Sequence, residues 1–205
     1  MNQNKIGLFG GSFDPIHNGH FNAAMNLNRF LNLDRFIFIP TFCAPHKKDK
    51  YQSMVNHRYQ MLLEATKEFN FGEASNCELK RKGVSYTIDT IDYFLKKYPK
   101  DLIFFFIGSD SLTHFDSWYR VKDLLKKCNI VIYSRFGYED IEPMVKKTNF
   151  TNQEKIKLLD NIISIPKIDI SSTQIRTAVK SNKEYAHLVP VTVKNYIEIN
   201  QLYKD

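Results

Sequence analysis

The feature that most restricts the fold is a set of short apolar runs that do not alternate with polar residues. Ile6-Gly7-Leu8-Phe9 comes first and ends in Gly10-Gly11. Phe36-Ile37-Phe38-Ile39, the stretch 102–107 and Ile130-Val131-Ile132-Tyr133 follow, with a weaker Ile162-Ile163-Ser164-Ile165 near the end. A strand with one wet face alternates, whereas a strand covered by helices on both faces is apolar throughout. Helical periodicity occupies the gaps, at 19–32, 54–69, 87–97, 120–127 and 152–161. In the first of these Phe21, Ala24, Met25, Leu27 and Leu31 recur at helical spacing. Strands alternating with helices predict βαβ units, and hence a Rossmann-like, doubly wound, mostly parallel α/β sheet. Beyond residue 170 the pattern changes to two helical segments, 171–180 and 191–202, with no further strand. The expected organisation is a core over 1–170 and a C-terminal helical segment over 171–205 that together make one structural unit. There is no internal repeat, low-complexity tract or long linker to divide them.

Composition narrows the partners. The 205 residues are 43% hydrophobic and 14% aromatic, enough to bury about 70% of the surface exposed by the unfolded chain. A net charge of +7 and a pI near 9.2 favour anionic partners: nucleic acid, membrane surface or phosphorylated metabolites. The basic residues come in short, scattered groups, Lys47-Lys48, Lys80-Arg81-Lys82 and Lys146-Lys147, and read as solvated surface. The aromatics follow core periodicity. Both observations argue against a nucleic-acid module. Cys43, Cys77 and Cys128 are far apart with no CxxC spacing, which fits a reducing compartment better than a disulfide framework or a zinc site. The longest apolar run is too short to cross a bilayer, and the polar N-terminus carries no signal-peptide pattern. The expectation is a cytoplasmic protein with no membrane or nucleic-acid partner; a homo-oligomer is compatible with the sequence.

The run Gly10-Gly11-Ser12-Phe13-Asp14-Pro15-Ile16-His17-Asn18-Gly19-His20 fills the turn from the first strand into the first helix. In open α/β sheets ligands bind at the carboxyl ends of strands. Glycines there let backbone approach a phosphate closely. The helix start adds unsatisfied N–H groups and the positive end of its dipole. His17 and His20 can converge on one anion, each with a hydrogen-bond donor. A bound polyphosphate favours the protonated form that the helix dipole disfavours. Such donors would stabilise the charge that develops as an α-phosphorus is attacked. Taken alone, two histidines at this spacing also serve as metal ligands or as a helix cap, and Asp14 beside Pro15 reads as a shaper of the turn. The whole run, however, resembles the HxGH signature of the nucleotidylyltransferase superfamily, G-G-S-F-D-P-x-H-x-G-H, and matches it at every signature position.

Ile170-Ser171-Ser172-Thr173-Gln174-Ile175-Arg176 opens a later helix, with Ser171 as N-cap. Ser172, Thr173 and backbone N–H groups can bind phosphate oxygens, and Arg176 adds a charge-assisted contact. By itself an ordinary capped helix with one surface arginine explains the segment as well. Beside the first motif it resembles the superfamily's I-S-S-T-x-I-R, which closes over the ATP phosphates from the opposite side.

Three further stretches resemble the bacterial nicotinate mononucleotide adenylyltransferase family: Pro45-His46-Lys47, Asn56-His57-Arg58-Tyr59-Gln60-Met61-Leu62 and Ser85-Tyr86-Thr87-Ile88-Asp89-Thr90. The resemblance implies adenylyl transfer from ATP, accompanied by Mg²⁺ and with no protein metal site, to nicotinate mononucleotide. It implies catalytic roles for His17, His20 and Arg176. It assigns ATP to Gly10, Gly11, Ser12, Phe13, His17, Gly19, His20, Gly108, Asp110, Ser172, Thr173 and Arg176. Nicotinate mononucleotide falls to Ser12, Phe13, Lys47, Tyr86, Thr87, Trp118 and Arg135. In that scheme Lys47 meets the acceptor phosphate, and Tyr86 with the Thr87 backbone faces the pyridine ring. The following helix start accommodates the carboxylate, and Trp118, the sole tryptophan, stacks on the ring. Two places depart from the family pattern. Its R-P-G-like turn reads Arg135-Phe136-Gly137, and Phe42-Cys43-Ala44 stands where many relatives carry a second proline. Superfamily members that use other acceptors, such as phosphopantetheine, lack the Ser85-Tyr86-Thr87 and Trp118 features, while nicotinamide mononucleotide stays open as an acceptor.

Overall fold

The computed structural model describes residues 3–45, 54–166 and 168–204. Six strands form a single parallel sheet: β1 (Lys5–Gly11), β2 (Arg35–Pro40), β3 (Glu73–Ala74), β4 (Leu102–Gly108), β5 (Asn129–Tyr133) and β6 (Ile162–Ile163). Their order is β3-β2-β1-β4-β5-β6, and every pairing is parallel. This is the Rossmann-like doubly wound arrangement expected from the apolar runs. The chain first winds outward from β1 to β3 and then returns to β4 on the other side of β1. The switch point of the sheet therefore lies between β1 and β4.

The helices that cover the sheet are α1 (Asn18–Leu31), α2 (Val55–Phe69), α3 (Cys77–Arg81), α4 (Thr87–Lys97), α5 (Val121–Lys127), α6 (Ile141–Lys147), α7 (Asn152–Leu159), α8 (Ser172–Lys180) and α9 (Val191–Ile199). Seven of them fall where helical spacing places them. α3 and α6, like the two-residue β3, are absent from the sequence expectation.

Period-two geometry sorts the strand side chains between two cores. Phe9, Phe36, Phe38, Phe106 and Tyr133 join Phe21, Met61, Leu62, Ile175 and Val193 on the face covered by α1, α2, α8 and α9. Ile6, Leu8, Ile37, Ile39, Ile107, Ile130 and Ile132 join Ile91, Phe94, Leu124 and Val145 on the face covered by α4, α5 and α6. The strand side chains are mostly aromatic on the first face and mostly aliphatic on the second, where Phe105 is the exception. Gly7 is central to the aromatic side. The rings of Phe36 and Phe106 stack over the sheet with centroids 5.4 Å apart. A Cβ on Gly7 would meet the Phe106 ring at 2.7 Å and Leu33 at 2.6 Å.

Candidate active site

β1 ends at Gly11, and the chain then turns sharply. Phe13 takes a left-handed backbone conformation with φ 46°, unusual for a bulky residue. Its ring is buried between Phe9 and Phe38, so packing holds the turn. His17 follows as N-cap of α1 with extended backbone. Its N–H donates to His20 Nδ1 at 3.3 Å, which places the His20 proton on Nε2 and leaves that nitrogen a donor. The two rings stack with centroids 3.7 Å apart. His17 is 3% exposed, and its Nδ1 is buried without a hydrogen-bond partner.

These surroundings keep both rings neutral. Burial, then Arg135, lowers the His17 pKa to about 3. Burial, then His17 and Arg135, holds His20 well below the ordinary histidine range. The sequence reading ascribes the disfavoured cation to the helix end; in the structure burial is the leading cause.

α8 approaches the same turn. Ser171 caps it, accepting from the Gln174 N–H at 3.1 Å. Ser172 Oγ donates to the Pro15 carbonyl at 3.0 Å. Arg176 donates to the Asp14 carbonyl at 2.7 Å and to Thr173 Oγ1 at 3.1 Å. Two segments far apart in sequence are thus joined by direct hydrogen bonds.

The third side comes from the carboxyl ends of β4 and β5. The Arg135 N–H donates to the buried Ser109 Oγ at 3.0 Å, and its guanidinium donates to Asp110 Oδ2 at 3.1 Å. Asp110 Oδ1 is buried without a partner. Gly108 lies behind this pair: a Cβ there would strike the Asp110 carboxylate and meet Arg135 Cδ at 2.5 Å.

These segments enclose a cavity of about 430 Å³ lined by Gly10, Gly11, Ser12, Phe13, His17, His20, Asp110, Arg135, Ser172, Thr173 and Arg176 among others. A smaller one of about 170 Å³ adjoins it, shares His17, His20, Arg135 and Ser171, and adds Gly19, Ile165, Ile168 and Ile170. Tyr86, Thr87 and Trp118 line neither. Tyr86 is N-cap of α4 and its ring packs on Tyr119 at 4.5 Å; Trp118 packs edge-on against Phe115 at 5.2 Å. A polar contact nevertheless ties the start of α4 to the cavity rim. Ser85 Oγ accepts from the N–H groups of Phe42 and Cys43, at 3.1 and 3.3 Å. Lys47 lies outside the described residues. Among the described residues, no group of three or more His, Cys, Asp or Glu is arranged to hold a metal ion, and no helix is long and apolar enough to cross a membrane.

The geometry can do one thing well. It presents neutral N–H donors, two guanidinium groups and two helix starts to a polyanion at the switch point of the sheet. The Cytidylyltransferase-like family model matches residues 8–178, which span both motifs. The chain belongs to the cytidylyltransferase-like family. Within this family it is 40% identical over 207 residues to a probable nicotinate-nucleotide adenylyltransferase of Carboxydothermus hydrogenoformans, covering 98% of each chain. It is 38% identical over 200 residues to the protein of the same name in Clostridium novyi, covering 98% of this chain and 99% of the other. Among solved structures it matches the Plasmodium falciparum nicotinic acid mononucleotide adenylyltransferase complexed with NaAD, with a TM-score of 0.73, 20% identity and 98% of each chain covered. At that identity the likeness concerns the fold.

Two residues of this cytidylyltransferase-like site were given no role in the sequence reading, although Arg58 stands in the quoted stretch 56–62. Arg58, on α2, is 2% exposed and donates to the carbonyls of Ser12 at 2.5 Å and Thr41 at 2.6 Å. Burial lowers its pKa. The signal was available: Arg58 shares a helical face with the buried Met61, Leu62 and Ala65, and arginine is seldom buried without a task. Tyr203, near the end of the chain, donates to Asp14 Oδ1 at 2.7 Å. No local pattern marks it.

Proposed function

We propose that the chain transfers the adenylyl group of ATP to nicotinate mononucleotide, giving nicotinate adenine dinucleotide and pyrophosphate. The observation that carries the chemistry is the convergence of His17, His20, Arg135 and Arg176 on one cavity at the carboxyl ends of the central strands. The acceptor rests on the relatives, nicotinate-nucleotide adenylyltransferases that match over nearly their whole length.

The reaction is an in-line displacement. A phosphate oxygen of the mononucleotide attacks the α-phosphorus of MgATP, a new P–O bond forms, and the bond to the β-phosphate oxygen breaks. No side chain has to act as nucleophile, so the protein's part is positioning and charge stabilisation. Backbone N–H groups of the Gly11–Phe13 turn and the α1 start receive phosphate oxygens. His17 and His20 donate as neutral rings. Arg176, with Ser172 and Thr173, holds the departing pyrophosphate. Mg²⁺ arrives with ATP, held mainly by phosphate and water as this ion prefers. Gly108 and Asp110 take the ribose, and the adenine takes the smaller cavity, whose isoleucine walls suit an apolar ring. Tyr86, Thr87 and Trp118 form the acceptor's ring site beyond the Ser85 tether, Arg135 serves its phosphate side, and Lys47 meets that phosphate. The segment 171–205 completes the ATP site as one unit with the core. The sparse, widely spaced cysteines suit a reducing, cytoplasmic setting.

The test is pyrophosphate release from MgATP with nicotinate and nicotinamide mononucleotides at equal concentration. Release that strongly prefers nicotinate is expected. Release with neither overturns the proposal.

A further inference from the structure

Beneath the first-strand turn, Asp14 and Tyr203, neither of which is given a substrate in the reaction above, make a polar chain that reaches Arg176. Asp14 is its centre and is 5% exposed. Tyr203 donates its hydroxyl to Asp14 Oδ1 at 2.7 Å. Arg176 donates to the Asp14 carbonyl at 2.7 Å and lies 3.8 Å from Asp14 Oδ2. Asp14 thus sits between a residue at the very end of the chain and the arginine that faces the cavity.

Two further observations show that the contact is held under constraint. Phe13 and Tyr203 are both non-glycine residues in the left-handed region, with φ of 46° and 63°. Such conformations persist only where the surroundings fix them, and they gather at functional sites. The tail carrying Tyr203 is also anchored. His57 Nδ1 and the Tyr196 hydroxyl lie 3.0 Å apart. Glu68 accepts from the N–H groups of Val191 and Thr192, and Leu202 is buried in the aromatic core. The same helix, α2, carries Arg58, which grips the carbonyl of Ser12 in the turn and that of Thr41 just after β2. The hydroxyl of Tyr203 stays a donor at neutral pH, since burial and the Asp14 carboxylate both raise its pKa.

We propose that Tyr203 is a positioning residue for adenylyl transfer: its hydroxyl fixes Asp14, and through Asp14 it fixes where Arg176 points and how the turn enters His17. This rests on the assignment of Arg176 to the ATP phosphates. A guanidinium with one edge committed to the Asp14 carbonyl and Thr173 keeps its remaining N–H groups for a ligand, with little rotamer freedom left to lose on binding.

The experiment compares Tyr203→Phe with Leu202→Val. The first keeps the ring and removes one hydroxyl; the second loosens the same tail without touching Asp14. Steady-state kinetics with MgATP and nicotinate mononucleotide, calorimetric affinity for a non-hydrolysable ATP analogue and Tm are measured on both. For Tyr203→Phe, KM for MgATP and Kd for the analogue are expected to rise about five- to tenfold, the scale of one ordinary net hydrogen bond. KM for the mononucleotide should stay within about twofold, as the acceptor does not depend on Arg176. Leu202→Val should lower Tm without moving the ATP parameters. Unchanged analogue affinity in Tyr203→Phe, or equal shifts in both variants at equal loss of Tm, overturns the proposal. The analogue arm needs no acceptor, so it decides the question even if the wild-type protein proves inactive with nicotinate mononucleotide.

Discussion

A histidine that is buried and stacked on a second histidine can meet a phosphate as a cation or as a neutral N–H donor, and the surroundings of His17 and His20 select the second. Charging either ring would cost desolvation and repulsion from Arg135, and His20 would meet repulsion from His17 as well. In the proposed mechanism the positive charge that phosphoryl transfer needs falls instead to the guanidinium groups of Arg135 and Arg176. In that mechanism the histidines act by direction: a fixed donor aimed at a developing charge needs no reorganisation when the charge appears. His20→Ala removes one such donor while leaving the core largely intact, as His20 is half-buried. Its kcat is expected to fall by about 10²–10³-fold, with circular dichroism and Tm close to wild type. Turnover within a few-fold of wild type would show that His20 does not serve the transition state.

At the scale of elements, the long periodic segments all declared themselves, and three of the short ones did not. α1, α2 and α4 each repeat their apolar stripe over several turns, and the expected bounds lie within a residue of the observed ones. α3 has five residues and β3 two, so neither completes enough periods to stand out from loop; α6 is as long as α5 but carries Pro143 in its first turn, which reads as a breaker in sequence. β3 exists because Ile37 and Phe38 offer it an edge to pair with, which is a tertiary fact. The start of α9 shows how an element can depend on a remote residue. Its N-cap is Pro190, which has no side-chain acceptor, and the carboxylate of Glu68 on α2 serves in its place. Glu68 accepts from the Thr192 hydroxyl at 2.6 Å and from the N–H groups of Val191 and Thr192 at 3.1 and 2.8 Å. Burial raises the Glu68 pKa, but these bonds outweigh it and leave the carboxyl below its ordinary value. Glu68→Ala is therefore expected to cost about 1 kcal/mol, as loss of a helix cap does, and to lower Tm by about 2–4 °C in a chain of this size. Differential scanning calorimetry reads this directly; an unchanged Tm would mean that solvent satisfies the α9 start equally well.

For the whole molecule, the candidate site was legible to the extent that its residues sit at strand ends. A parallel sheet brings every carboxyl end to one edge, so motifs after β1, β4, β5 and β6 were bound to meet once the topology was known. Arg58 and Tyr203 reach that edge from below; helical spacing puts Arg58 on the buried face of α2, whereas no spacing rule encodes the packing of Tyr203. The same burial sets how the folded state responds to acid. The folded His17 titrates at about 3 and His20 also well below the ordinary 6.5, so between those values the unfolded chain binds protons that the folded chain refuses. Stability therefore rises with pH through this window. It is complete above about pH 6.5 and is lost as the pH falls, by about 1.4 kcal/mol per pH unit for each such proton. The carboxyls held below their ordinary value of 4.5, Glu68, Glu142 and Glu154, add their own loss only nearer to that value. The interval from pH 6.5 to about 5 thus isolates the histidines. Urea unfolding at closely spaced pH values across it should give a steep slope for the wild type. His17→Asn should reduce that slope by about one proton's worth, and it places at the N-cap of α1 a residue that caps helices well, which favours a folded variant. Equal slopes in the two proteins would mean that His17 is protonated in the folded state and meets the phosphate as a cation.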